Sequence, residues 1–130
     1  MAKYLSKKHS LRHQAMQVYL VLIACAINRQ IKTYKDIAGV LGFRGAGVLN
    51  RQLGHIMFWC DQNKLPPLTA LVVNAKAGTP GRGLITPRNL DADRERVFKK
   101  KWFQIQPPTA DELDVAYRKG MAGLRRKKRR

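Results

Sequence analysis

Residues 33–56 read "TYKDIAGVLGFRGAGVLNRQLGHI". The stretch predicts two short helices that meet at a glycine-marked corner. Thr33, with Asp36 three residues on, has the pattern of a capping box, in which each side chain satisfies a backbone N–H left free at a helix start. Ile37, Val40 and Leu41 supply a short apolar face. Gly42 stands where a left-handed residue is needed to end the first helix. The second helix is expected from about Gly45 to about Asn63. In it Leu49, Leu53, Ile56, Met57 and Cys60 recur at helical spacing and belong to the core. The opposite stripe holds Gly47, Asn50, Arg51 and Gly54, small or hydrogen-bonding residues suited to close approach to another surface.

Before this pair, residues 1–9 form a basic arm that includes Lys7 and Lys8. Ser10 is a fitting N-cap for a helix running to about Asn28. Its middle is apolar on every side, so it is expected to be the most buried helix. The first thirty residues have the outline of an export signal, with a basic start, an apolar run and then Ala24-Cys25-Ala26. Gln14 and Gln17 at the head of that run argue for a core helix instead. Residues 18–27 also fall short of the roughly 20 needed to span a bilayer. His9 and His13 stand four apart, a metal-ligand spacing, but no third ligand accompanies them. No metal or cofactor is expected. Cys25 and Cys60 lie in apolar helical runs without a CxxC pattern, which predicts two buried free thiols in a reducing compartment.

After the pair, "LPPLTALVVNAKAGTPGRGLI" (residues 65–85) changes period. Residues 68–74 are strand-like, a turn cluster follows, and residues 83–85 are expected to return as a partner strand. Lys76 and Arg82 would tip this hairpin. The glycines of "GTPGRGL" lead from one expected strand into another, so a turn is favoured over a phosphate cradle. "ITPRNL" reads as a linker, and residues 91–101 as a helix whose three acids precede Lys99, Lys100 and Lys101, an order that suits the helix dipole. "WFQIQPPT" is irregular, with Trp102 and Phe103 expected to pack back on the body. Thr109 and Glu112 form a second capping box before a helix with Leu113, Tyr117 and Met121 on one stripe. Residues 125–130, Arg125, Arg126, Lys127, Lys128, Arg129 and Arg130, repel one another and are expected to form a disordered tail.

The charge is the strongest compositional signal. Twenty-six Lys and Arg face eight Asp and Glu, a net charge of +18. Residues 1–90 hold thirteen basic and two acidic side chains, residues 91–124 hold seven and six, and the last six residues are all basic. Such an excess marks a binder of polyanions. The acids are too few and too committed to helix starts to make a catalytic constellation, and no HExxH, GxSxG or P-loop occurs.

A resemblance joins these observations. The order "TYKDIAGVLG … GAGVLNRQLG … LPPLTALVVNAKAGTPGRG" resembles the winged-helix domain of alkylguanine-DNA alkyltransferases and their non-enzymatic alkyltransferase-like relatives, over residues 31–83. Those proteins share a "TYGDIA"-type helix, a second helix packed by small residues, a "P-C-H-R-V-V" segment and a Gly-rich wing. The resemblance implies a winged helix with a DNA-facing surface. The reactive segment of that family corresponds to "LTALVVN" here, which has neither Cys nor His. The thiolate that alkyl transfer requires is therefore missing, and Cys60, in the preceding helix, does not replace it.

The sequence thus predicts a mainly α protein with a small β-hairpin wing: a basic arm (1–9), a winged helix-turn-helix domain (10–88), a helical extension (89–124) and a basic tail (125–130). It is expected to bind double-stranded DNA without catalysis, as a cytoplasmic, nucleoid-associated regulator or architectural factor with no membrane partner. Arg44, Asn50 and Arg51 would enter the major groove. Lys7, Lys8, Arg12, Lys76, Arg82 and the tail would hold phosphate. RNA or ribosome binding and a nuclease or base-flipping enzyme are the rival readings. Phe58 and Trp59, were they exposed rather than core, would mark a protein-partner or dimer face.

Overall fold

The computed structural model describes residues 1–4, 11–43, 49–74 and 89–128. Among these residues the chain is mainly helical, with one small parallel sheet. Helix α1 (Leu11–Ile27) is followed by strand β1 (Lys32–Thr33), α2 (Tyr34–Leu41), α3 (Asn50–Gln62), strand β2 (Val72–Val73), α4 (Leu90–Lys99) and α5 (Ala110–Lys128).

Local signals set several of these boundaries. Thr33 Oγ1 accepts a hydrogen bond from the Asp36 amide at 3.0 Å, the forward half of the expected box. Gly42 ends α2 at φ 75°, and its N–H bonds back to the last turn. At α5 both halves of the box form: the Glu112 amide donates to Thr109 Oγ1 at 3.1 Å, and the Thr109 amide donates to Glu112 Oε1 at 3.0 Å. Asn89 caps α4 by accepting from the Ala92 amide.

α3 is the centre of the molecule. Leu49, Leu53 and Ile56 are fully buried, with Met57 and Cys60 close to it. α1 and α5 pack against α3, and α1 brings Ala15, Val18, Leu22 and Cys25 to the same core. Tyr19 meets Trp59 edge to face, with ring centroids 5.7 Å apart. Leu113, Ala116, Tyr117 and Met121 form the contact stripe of α5, as its spacing predicts. Both cysteines are free and buried.

Residues 68–74 depart from the strand expected there. Pro67 is followed by a 3-10 turn, Leu68–Leu71, and only Val72–Val73 is extended. All four turn residues are buried, so the run is apolar because it fills the space between α1, α3 and α4. A continuous apolar run carries no period that distinguishes a strand from such a plug. β2 pairs in parallel with β1 in the register Lys32↔Val72 and Thr33↔Val73. The return strand at residues 83–85 lies outside the described residues. Two apolar residues are placed differently from expectation. Val40 is 72 % exposed, and Tyr34 and Ala38 fill the core side of α2 with Ile37. Phe103 is 85 % exposed, whereas Trp102 is buried and donates Nε1–H to the Val97 carbonyl at 2.8 Å.

Candidate nucleic-acid interface

The expected outer stripe of α3 is open only at its first turn. Asn50 and Arg51 are exposed. Residues 52–60 are buried without interruption. α5 explains the difference: Tyr117 lies over Gly54, where an added Cβ would stand 3.0 Å from the Tyr117 ring. The same ring stacks on His55 with centroids 4.1 Å apart. The small residue at position 54 is thus there to admit α5, not an external surface. A helix lying lengthwise in a groove is excluded by this packing, and the first turn remains.

Beneath that turn sits a buried polar layer. His55 Nδ1–H donates to the Arg51 carbonyl at 2.7 Å, and Nε2 is buried without a partner. Burial lowers the His55 pKa below its ordinary value, the backbone bond and Asp114 oppose this, and Arg51 and Arg12 reinforce it. His55 is therefore a neutral, fixed residue. Gln52 joins the layer through Nε2, which donates to Gln14 Oε1 at 3.0 Å.

The carboxylates determine which cations are free. Arg12, expected on phosphate, instead bridges α1 to α5, meeting Asp111 at 2.6 Å and Asp114 at 3.3 Å. Its hydrogen bond to Asp111 and the charge of Asp114 raise its pKa further. Arg118 also takes Asp114, Arg96 takes Asp93, and Arg29 takes Glu95 while stacking on the Phe98 ring. Among the described residues no carboxylate stands at Arg51, Arg125, Arg126 or Lys127.

Residues 125–128 are helical, in contrast to the disordered tail expected of them, because α5 continues to Lys128. Cations are stabilised at a helix C-terminus by the dipole, and Lys and Arg propagate helix well, which offsets their mutual repulsion. Residues 124–127 are exposed, so the basic turn projects beyond the packed part of α5. A second cationic surface was not legible in the sequence. Lys64 joins Arg96, Lys99 and Lys100 around a cleft of about 640 Å³ that also contains Asp61. Only folding brings position 64 to the end of α4.

Lys7, Lys8, Arg44, Lys76, Arg82, Arg129 and Arg130 lie outside the described residues, as does the side chain of Lys128. Phe58 and Trp59 are buried, at 6 % and 7 % exposure, so neither offers a partner face. Burial pushes the Cys60 thiol up to about 12, which leaves no thiolate near neutral pH. Among the described residues no group of three or more His, Cys, Asp or Glu is placed to hold a metal ion, and no helix is long and apolar enough to cross a membrane. Comparison of the chain with protein-family models, with curated proteins and with solved structures found no match.

Proposed function

We propose that the chain is a non-enzymatic double-stranded DNA-binding protein of the winged-helix kind, a regulator or architectural factor. It presents the first turn of α3 to the duplex and lays the basic end of α5 along phosphate. The observation that carries this reading is the placement of the carboxylates. They neutralise Arg12, Arg29, Arg96 and Arg118 at joints between or within helices and leave Arg51 and residues 125–127 unopposed. Asn50 and Arg51 are the side chains that pair bidentately with adenine and guanine edges. The helix end, rather than its length, would enter the major groove, as the N-terminal residues of a recognition helix do. Lys7, Lys8, Arg44, Lys76, Arg82, Lys128, Arg129 and Arg130 add phosphate contacts in this reading, and Arg12 is reassigned to holding α1 on α5. Phosphate contacts supply most of the affinity and position the protein without specifying sequence.

The test is Asn50→Ala with Arg51→Ala on duplex DNA, with structured RNA as competitor. Both residues are exposed, so the thermal midpoint should stay within about a degree or two, as surface changes of within ±0.5 kcal/mol imply. Duplex affinity should fall by about 1–3 kcal/mol for each bidentate pair lost. Unchanged affinity, or stronger binding to the RNA than to the duplex, would overturn the proposal.

A further inference from the structure

Helix α1 has no charged residue after its second position. From His13 through Asn28 there is no Lys, Arg, Asp or Glu, in a chain of net charge +18. One side of the helix faces α3 and α5, and the other does not face the body. The exposed positions are His13, Gln17, Leu20, Ala24 and Ile27. Their spacing is four, three, four, three, the alternation of a helix–helix seam. Leu20 is 55 % exposed and Ile27 is 47 % exposed. A solvated helix face in a protein of this charge would be expected to carry cations, and this one carries none.

We infer that this face of α1 is a self-association surface, which pairs antiparallel with α1 of a second copy. The antiparallel sense follows from charge. Parallel pairing would bring the two basic arms, with Lys3 and Arg12, side by side. Antiparallel pairing separates them and opposes the helix dipoles favourably. It also sets Ala24 against Leu20 of the second copy in two symmetric layers, a small residue facing a large one, as close helix packing requires. The seam is a single helix about 20 Å long. It covers well under the ~800 Å² per partner of a standard stable interface. Two copies of a +18 chain also repel. The pairing is therefore weak in dilute low-salt solution and forms when the repulsion is removed, by salt or by a polyanion. Pairing on DNA rests on the function proposed above, whereas pairing in salt does not.

The experiment is sedimentation of the full chain over a concentration series to the millimolar range, at high salt without nucleic acid, and at low salt with and without a short duplex. At high salt a monomer–dimer equilibrium is expected without DNA. Leu20→Glu with Ile27→Glu should abolish it, with helicity and thermal midpoint retained because both positions are exposed. This change lowers the net charge, so general repulsion would weaken, and lost association locates the contact in the seam. Val40→Glu, at an exposed site on α2, should leave the equilibrium unchanged. On the duplex, the wild-type chain should bind cooperatively in pairs and the α1 variant as independent monomers. A monomer at every concentration in high salt would overturn the proposal, whatever the duplex shows. So would a dimer that survives the α1 substitutions or is broken by Val40→Glu. If the high-salt dimer forms and the duplex is not bound at all, the seam stands and the DNA reading falls.

Discussion

His55 and Gly120 show how single residues set the behaviour of the body beneath the interface. The neutral His55 ring is held between Tyr117 and the Arg51 carbonyl, and a second proton would create a buried cation with no acceptor at Nε2. Its folded pKa lies below the ordinary value of 6.5. Below that value the unfolded chain binds the proton more readily than the folded one, so stability rises with pH in the window beneath 6.5 and levels off above it. Thermal midpoints measured from neutral to mildly acidic pH should fall as pH drops through this window. His55→Phe should remove that part of the slope, and an identical slope in the variant would show that other groups carry it. At Gly120 an added Cβ would stand 2.2 Å from the Phe58 ring. Gly120→Ala gains helix propensity but overpacks the core, and chemical denaturation should show a net loss of about 1–3 kcal/mol. Sequence reading placed Leu49, Leu53 and Ile56 in the core because their period is that of a helix. It had no means of giving Gly54 and Gly120 their role, since a glycine's packing partner is set by a helix distant in the chain.

The helices were legible where they carry their own boundary chemistry. The Thr33, Gly42 and Thr109 signals act within a turn of the chain, and each operates as expected. What failed was long-range. α3 looked like a helix with a free outer face, because its stripe of small and polar residues fits a groove in DNA as well as it fits α5. Tyr117 decides between them. α1 failed in the opposite sense, since a helix apolar on every side was expected to be buried on every side. Its exposed Leu20 and Ile27 are the residue of that mismatch. The basic tail was judged from its charge alone, whereas as the last turns of α5 it inherits a helix already nucleated by an intact capping box and a packed stripe. The order expected for residues 125–130 on contact with phosphate is therefore present through Lys128 beforehand, which lowers the entropy lost on binding.

For the molecule as a whole, the eight acids are too few to neutralise the twenty-six cations, and folding assigns four of them to the arginines that hold helices in place. The remainder of the positive charge needs a polyanion. Each phosphate neutralised on B-DNA releases counterions and adds about 0.9 to the dependence of log affinity on log salt. The most direct measurement is a salt titration of binding to two unrelated duplexes, by the full chain and by a chain lacking residues 125–130. The full chain should lose affinity steeply with salt. Truncation should flatten the slope by several contacts and weaken both duplexes alike, while any preference between them survives in the first turn of α3. A slope that truncation leaves unchanged would contradict the place given to the end of α5, and a full chain whose affinity for duplex is low and indifferent to salt would contradict the reading of this protein as a DNA binder.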